Sequence, residues 1–257
     1  MHEQGYTIDR ESISVEEWAV RCELAALYRL LAHFRMTDLI DTHISARVPG
    51  EGDYFLINRY GVLFNEVRAS DLVKVDIDGN IVDPRLSPGS INRAGFNIHS
   101  AIHAAREDVA CVVHTHTSAG IAVSAQEEGL LPISQHALKY YGCLSYHDYE
   151  GIALNPDERA RLVSDLSNNQ AMILRNHGLL ALGGSIAEAF NQIYFLERAC
   201  QAQVAALAGG RQLRFPPKDV CELVARQSQD EIHNDLHLLA WESAKRLIAA
   251  EQADYSA

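Results

Sequence analysis

Short runs of β-branched and aromatic residues alternate with amphipathic helical stretches along most of the chain, and this alternation limits the possible fold more than any other feature. THISARV (42–48), YFLI (54–57) and LVKVDI (72–77), punctuated by Pro49-Gly50 and Asp78-Gly79, predict a small antiparallel meander. VACVVHTH (109–116) reads as a buried strand, with AMILRN (171–176) and LLAL (179–182) as two more around His177-Gly178. Helices fill the gaps. Ser14-x-x-Glu17 has the form of a capping box before a helix near 15–36, with Leu24, Leu27, Leu31 and Phe34 at helical spacing. Ser90 can cap a second helix ending near Arg106, and Thr117 or Ser118 opens a short third one. Asn155-Pro156 starts another through Leu162 and Leu166, and a second box, Ser185-x-x-Glu188, opens a long helix closed by Gly209-Gly210. Strands set between helices predict a three-layer α/β/α domain with a mostly antiparallel or mixed central sheet.

The punctuation at 209–217 marks one linker, giving a domain over 1–210 and a helical tail over 211–257, with its helix at roughly 218–250. Hydrophobic residues at 47% and charged residues at 22% are ordinary for a folded chain. A net charge of −12 without a basic cluster argues against nucleic acid and against a membrane surface. No apolar stretch approaches the roughly 20 residues of a membrane span, and the polar start does not read as a signal peptide. Five cysteines, widely spaced and odd in number, read as reduced core thiols, which places the protein in the cytoplasm. Neither Gly-x-Gly-x-x-Gly nor a phosphate loop is present, so a nucleotide fold has no support.

His114 and His116 lie two residues apart on the predicted strand and so share one face of the sheet. They could be ordinary side chains bonded to neighbours, or two metal ligands. His177, followed by a glycine that permits a tight turn, is the candidate third; three imidazoles with an open fourth position describe a catalytic site. His99 and His103, one helical turn apart, could also bind a metal, but a supporting role suits a helix that needs a buried face. His33, His233 and His237 read as surface or packing residues.

The segments INRAGFNIHSAIHAAREDVACVVHTHTSAG, GLLPISQHAL, YHDYEGI and ILRNHGLLALG, in this order, resemble the class II aldolase/adducin family over about residues 15–210, with wording closer to the adducin head. The resemblance implies a fourfold ring of subunits with sites at their boundaries, and a divalent metal on His114, His116 and His177: zinc first, iron or manganese as alternatives. The tail lies outside the resemblance and is expected to pack on the domain or on a neighbouring subunit.

Several positions depart from the family's sugar-phosphate aldolases. Their proton-transfer glutamate falls on Gly95. Their phosphate-binding asparagine, Thr-Gly pair and serines fall near His43, Tyr60-Gly61, and Arg93 with Ala94. Substrate contacts are therefore expected from Arg93, Arg59 and Gly61, the two arginines gripping a carboxylate; each arginine could equally be a surface charge. The acid/base tyrosine position holds His136, and Tyr140 and Tyr141 are alternatives that otherwise read as core or interface aromatics. An open metal face without a carboxylate base suits a carbon–carbon lyase acting on a small oxo or hydroxy acid. Decarboxylation removes no substrate proton; aldol cleavage needs a base, which His136 or His43 would supply. Two other readings are a non-haem iron oxygenase of aromatic 2-oxo acids and a non-catalytic adducin-like interaction module.

Overall fold

The protein is described by a computed structural model over residues 10–50, 52–82, 90–151, 157–249 and 253–257; the side chains of Ala94, residues 231–233 and Ala253 are left out of account. Helix α1 (Val15–His33) begins where Ser14 Oγ accepts from Glu17 N at 3.1 Å. The reciprocal half of the capping box is not made. The Glu17 carboxylate instead takes Arg21 Nε and Lys74 Nζ, both at 2.8 Å, because a fully buried guanidinium needs a counter-charge more than the helix end needs a second cap. The helix stops at His33, short of the expected 36, where Arg35 turns left-handed at φ 58°.

The meander forms as expected from β1 (His43–Arg47), β2 (Phe55–Ile57) and β3 (Val73–Val75). Helix α2 (Arg93–Ala105) follows; its flank is Asn92, whose Oδ1 accepts from Gly95 N at 3.4 Å, and not Ser90, which stands two residues too early. Then come β4 (Cys111–Thr115), α3 (Ser118–Ser124) capped by Thr117, α4 (Gln135–Leu138) and β5 (Ser145–His147). After α5 (Glu158–Leu166) the chain runs through β6 (Ala171–Leu174), β7 (Gly178–Gly183) and α6 (Ile186–Leu207). Asn155-Pro156 lies outside the described residues. At α6, Ser185 Oγ caps Glu188 N, while the Glu188 carboxylate takes the Gly184 amide at 2.8 Å.

The seven strands run β3-β2-β1-β4-β7-β6-β5, all antiparallel except the β5–β6 pair. Strand alternation then sorts the faces. Cys111, Val113, Ile173, Leu179 and Ala181 pack against α1, α3, α6 and α8, whereas Val112, Met172, Leu180 and Leu182 pack against α2 and α5. Each fully buried leucine or isoleucine there contributes roughly 1.5–3 kcal/mol. This is a three-layer α/β/α fold with a mixed, mostly antiparallel sheet.

The last helical region is two helices, α7 (Lys218–His233) and α8 (Leu236–Ala249), broken where Asp235 adopts φ 59°. Helix α8 drops Trp241, Ala244 and Ile248 into the main core, and Glu23 on α1 receives both Trp241 Nε1 and Lys245 Nζ. All five cysteines are free; Cys111, Cys200 and Cys221 are buried, while Cys22 and Cys143 are only partly so. No helix among the described residues is long and apolar enough to cross a membrane.

Candidate metal centre

Three imidazoles converge where β4 ends and β7 begins. His114 is the fourth residue of β4, His116 lies just past its end, and His177 sits in the turn between β6 and β7. β4 and β7 are hydrogen-bonded neighbours, with His114 opposite Leu180 and Thr115 opposite Leu179, so the sheet register itself sets the spacing. The tight turn at His177 does not rest on glycine conformation as the sequence suggested. Asn176 takes the left-handed backbone, at φ 55°, and Gly178 is required because a Cβ there would lie 2.4 Å from the Thr115 carbonyl.

His114 Nε2 lies 2.8 Å from His116 Nε2, which lies 2.9 Å from His177 Nε2. The opposite edges of two of these rings are already engaged. His114 Nδ1 donates to the Leu179 carbonyl at 2.9 Å, and His116 Nδ1 meets the Asp38 carboxylate at 3.0 Å. Neutral rings held this way turn bare Nε2 lone pairs toward one another, an arrangement that calls for a cation between them. Burial, then the neighbouring histidines, hold His114 well below the ordinary imidazole pKa, and the same causes bring His177 to about 4. Neutral imidazole is the ligating form. Metal–nitrogen bonds of 2.0–2.1 Å in tetrahedral geometry separate the nitrogens by about 3.3 Å, so the two contacts at His116 would lengthen by a few tenths of an ångström to admit a zinc-sized ion, the three ligand atoms lying within 4.8 Å of one another. The donor set suits zinc, iron and manganese alike.

The trio opens on a cleft of about 420 Å³ that also meets Asp38, His43 and Gly95. His43 stands on its wall, 5.2 Å from the His114 ring centre, with Nδ1 bonded to His99 Nε2 at 2.8 Å. Its ring lies flat against the one helix position that can accept it. A Cβ on residue 95 would fall 2.0 Å from both His43 Cδ2 and Nε2. Glycine at 95 and histidine at 43, two separate departures in sequence, are thus one steric unit: the imidazole fills the space that a side chain at 95 would need. His99 and His103 are buried and bond to Ser45.

The other expected site residues do not reach this cleft within one chain. His136 is exposed on α4, its ring 5.1 Å from Phe195, and lines a different cleft with Pro216 and Val224. Tyr140 is buried and donates to the Gln192 carbonyl at 2.6 Å, and burial pushes its hydroxyl well above the usual range; it is a packing residue. Arg59 faces Asp71 at 3.9 Å, and exposed Arg93 lies over Gly79. Gly61 turns a loop at φ 93°. These three form no anion clamp beside the trio, because the β2–β3 side of α2 carries them away from it. Asp38 and Tyr149, which do meet the cleft, were not singled out from the sequence: each lies in an ordinary polar loop, with no spacing to mark it.

Comparison with known proteins agrees with this fold. Residues 22–204 match the family described as Class II Aldolase and Adducin N-terminal domain. A Caulobacter vibrioides protein named for aldolase class 2 is 48% identical over 251 residues, covering 95% of this chain and 94% of its own. Rat alpha-adducin is 49% identical over 193 residues, 75% of this chain but 26% of the longer protein. The crystal structure of an aldolase II superfamily protein from Pseudomonas syringae superposes with a TM-score of 0.93 at 51% identity, covering 96% of this chain and 99% of that one.

Proposed function

The chain belongs to the class II aldolase and adducin N-terminal domain family, and on that premise we propose that it is a metal-dependent carbon–carbon lyase acting on a small oxo or hydroxy acid. The observation that carries this reading is the convergence of three Nε2 atoms, on His114, His116 and His177, at the floor of an open cleft. A divalent ion held there, zinc first, with iron or manganese as alternatives, would supply the electron sink for the enolate formed when a carbon–carbon bond breaks. Leu179 and Asp38 hold two of the rings in the ligating tautomer. His43, on the cleft wall, would border a substrate bound beside the trio.

Among the described residues no lysine or arginine lines the cleft. The charge partner for an acidic substrate, and an acid/base group such as His136, would come from a neighbouring copy in a cytoplasmic homotetramer. Metal analysis of tag-free protein tests the core of the reading. One divalent ion per chain is expected, lost in His114→Ala, together with release of carbon dioxide or an aldehyde from some member of a panel of 2-oxo and hydroxy acids. A metal-free wild type would overturn it; turnover only with iron and oxygen would replace the lyase by an oxygenase. A second reading, a non-catalytic interaction module, draws support from the likeness to rat alpha-adducin and from glycine at 95; it predicts that the whole panel stays unconsumed by metal-loaded protein.

A further inference from the structure

A small chamber of about 10 Å³ abuts the metal cleft. Ile98, Tyr149, Gly151 and His177 line both spaces, so a molecule held at the trio stands beside the partition between them. The rest of the chamber wall includes His147 from β5 and Glu158 from the first turn of α5, only 4% and 9% exposed. A space of this volume admits one water-sized group.

One polar atom in this wall is unsatisfied. His147 Nδ1 donates to Asp165 Oδ2 at 2.7 Å, which fixes the ring. Its Nε2 is buried and has no hydrogen-bond partner among the described residues; Glu158 Oε1 stands 3.6 Å away, beyond hydrogen-bond reach. Buried polar atoms are nearly always paired, and an exception calls for an occupant. Two other charged groups on the wall are already engaged: Arg175 Nη1 donates to the Gln126 carbonyl at 2.7 Å, and Glu150 Oε1 accepts from Arg161 Nε at 2.7 Å. A hydroxyl suits the remaining pair. It donates and accepts at once, so it completes Nε2 whether or not that nitrogen carries a proton, and the Glu158 carboxylate is an acceptor beside it. A methyl group there would leave both polar groups dry, and a carboxylate would set like charges together.

We propose that the chamber is a subsite for one hydroxyl of the substrate, recognised by His147 and Glu158. This rests on the lyase reading and narrows it: the acid bound at the trio carries a further hydroxyl, beyond the oxygens that reach the ion. That hydroxyl takes the place of a single water and reproduces its hydrogen bonds, whereas an analogue without it strands them. Tyr149, on the partition, borders the arm that carries the hydroxyl. Asp165 is a positioning residue, acting through the His147 ring.

Calorimetry on zinc-loaded full-length protein tests this with 2-hydroxy acids that differ by one hydroxyl: lactate against glycerate, and 2-hydroxybutyrate against 2,4-dihydroxybutyrate. At least one hydroxylated acid should bind about tenfold tighter than its partner or better. In spectra of histidine-labelled protein, the His147 ring signals should move with that acid and stay in place with its partner. Glu158→Leu should bring the paired affinities together, with one zinc per chain retained. If Glu158→Leu does not fold, Glu158→Gln serves instead; its hydrogen bond is no longer charge-assisted, and the preference should shrink several-fold. Equal affinities within both pairs, or an undiminished preference in a folded Glu158 variant, would overturn the subsite, and bound zinc would then leave the lyase reading standing. Wild-type protein that takes up no zinc would sink the lyase reading itself, and the subsite with it.

Discussion

Replacing Gly95 by alanine tests the contact on which the site is built. The new Cβ would lie 2.0 Å from His43 Cδ2 and Nε2 and 2.5 Å from Cε1, far inside van der Waals contact. The ring has little freedom to retreat, because Nδ1 is bonded to His99 and the residue is 4% exposed. Overpacking of this kind costs about 1–3 kcal/mol, and losing the buried hydrogen bond adds about 1–3 kcal/mol. The gain in helix propensity returns about 1 kcal/mol. A net loss near 3 kcal/mol corresponds, for a chain of this size, to a fall in Tm of roughly 6–12 °C. The informative comparison is the same change in a His43→Ala background. There the obstacle is gone, and Gly95→Ala should be neutral or stabilising by up to about 1 kcal/mol. Urea titration and calorimetry of the four proteins in this cycle give both numbers. Equal effects of Gly95→Ala in the two backgrounds would refute the steric unit.

Three further outcomes are expected. His177→Ala should abolish stoichiometric metal and remove the rise in Tm on adding zinc, whose underlying stabilisation is about 4 kcal/mol at a thousandfold excess over Kd. Asp38→Asn should weaken zinc binding about 10–100-fold by releasing the His116 ring, read by competition with a chromophoric chelator, without unfolding the protein. Acid should destabilise the fold through the buried rings. His103 has a folded pKa of about 3, against 6.5 when unfolded, so between those values the unfolded chain holds a proton that the folded one refuses. Stability is then full above about pH 6.5 and falls as the pH drops toward 3. His103→Gln should flatten part of the slope of Tm against pH, and an unchanged slope would count against burial as the cause.

Much of the fold was legible because it rests on local chemistry. Apolar runs and helical periodicity located α1, β4, β7 and α6, and Thr117 and Ser185 do cap their helices. Strand β5 escaped notice because Ser145–His147 carries no apolar run of its own and is a strand only by pairing with β6. The split between α7 and α8 depends on one left-handed aspartate, which nothing local announced. At the site, the trio of histidines could be read from strand alternation and resemblance, yet the roles of the two glycines could not. Gly95 and Gly178 are required by a ring and a carbonyl far away in sequence, and only the assembled sheet shows either. His136 and the arginines were placed by counting along the chain, which says nothing about which cleft a side chain enters.

Of the three candidate ligands, His114 belongs to β4, His116 lies just past its end and His177 immediately precedes β7, in the most interior part of the sheet, so an ion would find its donors already assembled. Capture should then order no additional backbone. Calorimetry of zinc uptake should show a heat-capacity change close to zero, and amide exchange along both strands should be as slow before loading as after it. Chains that need their ion in order to fold behave in the opposite way.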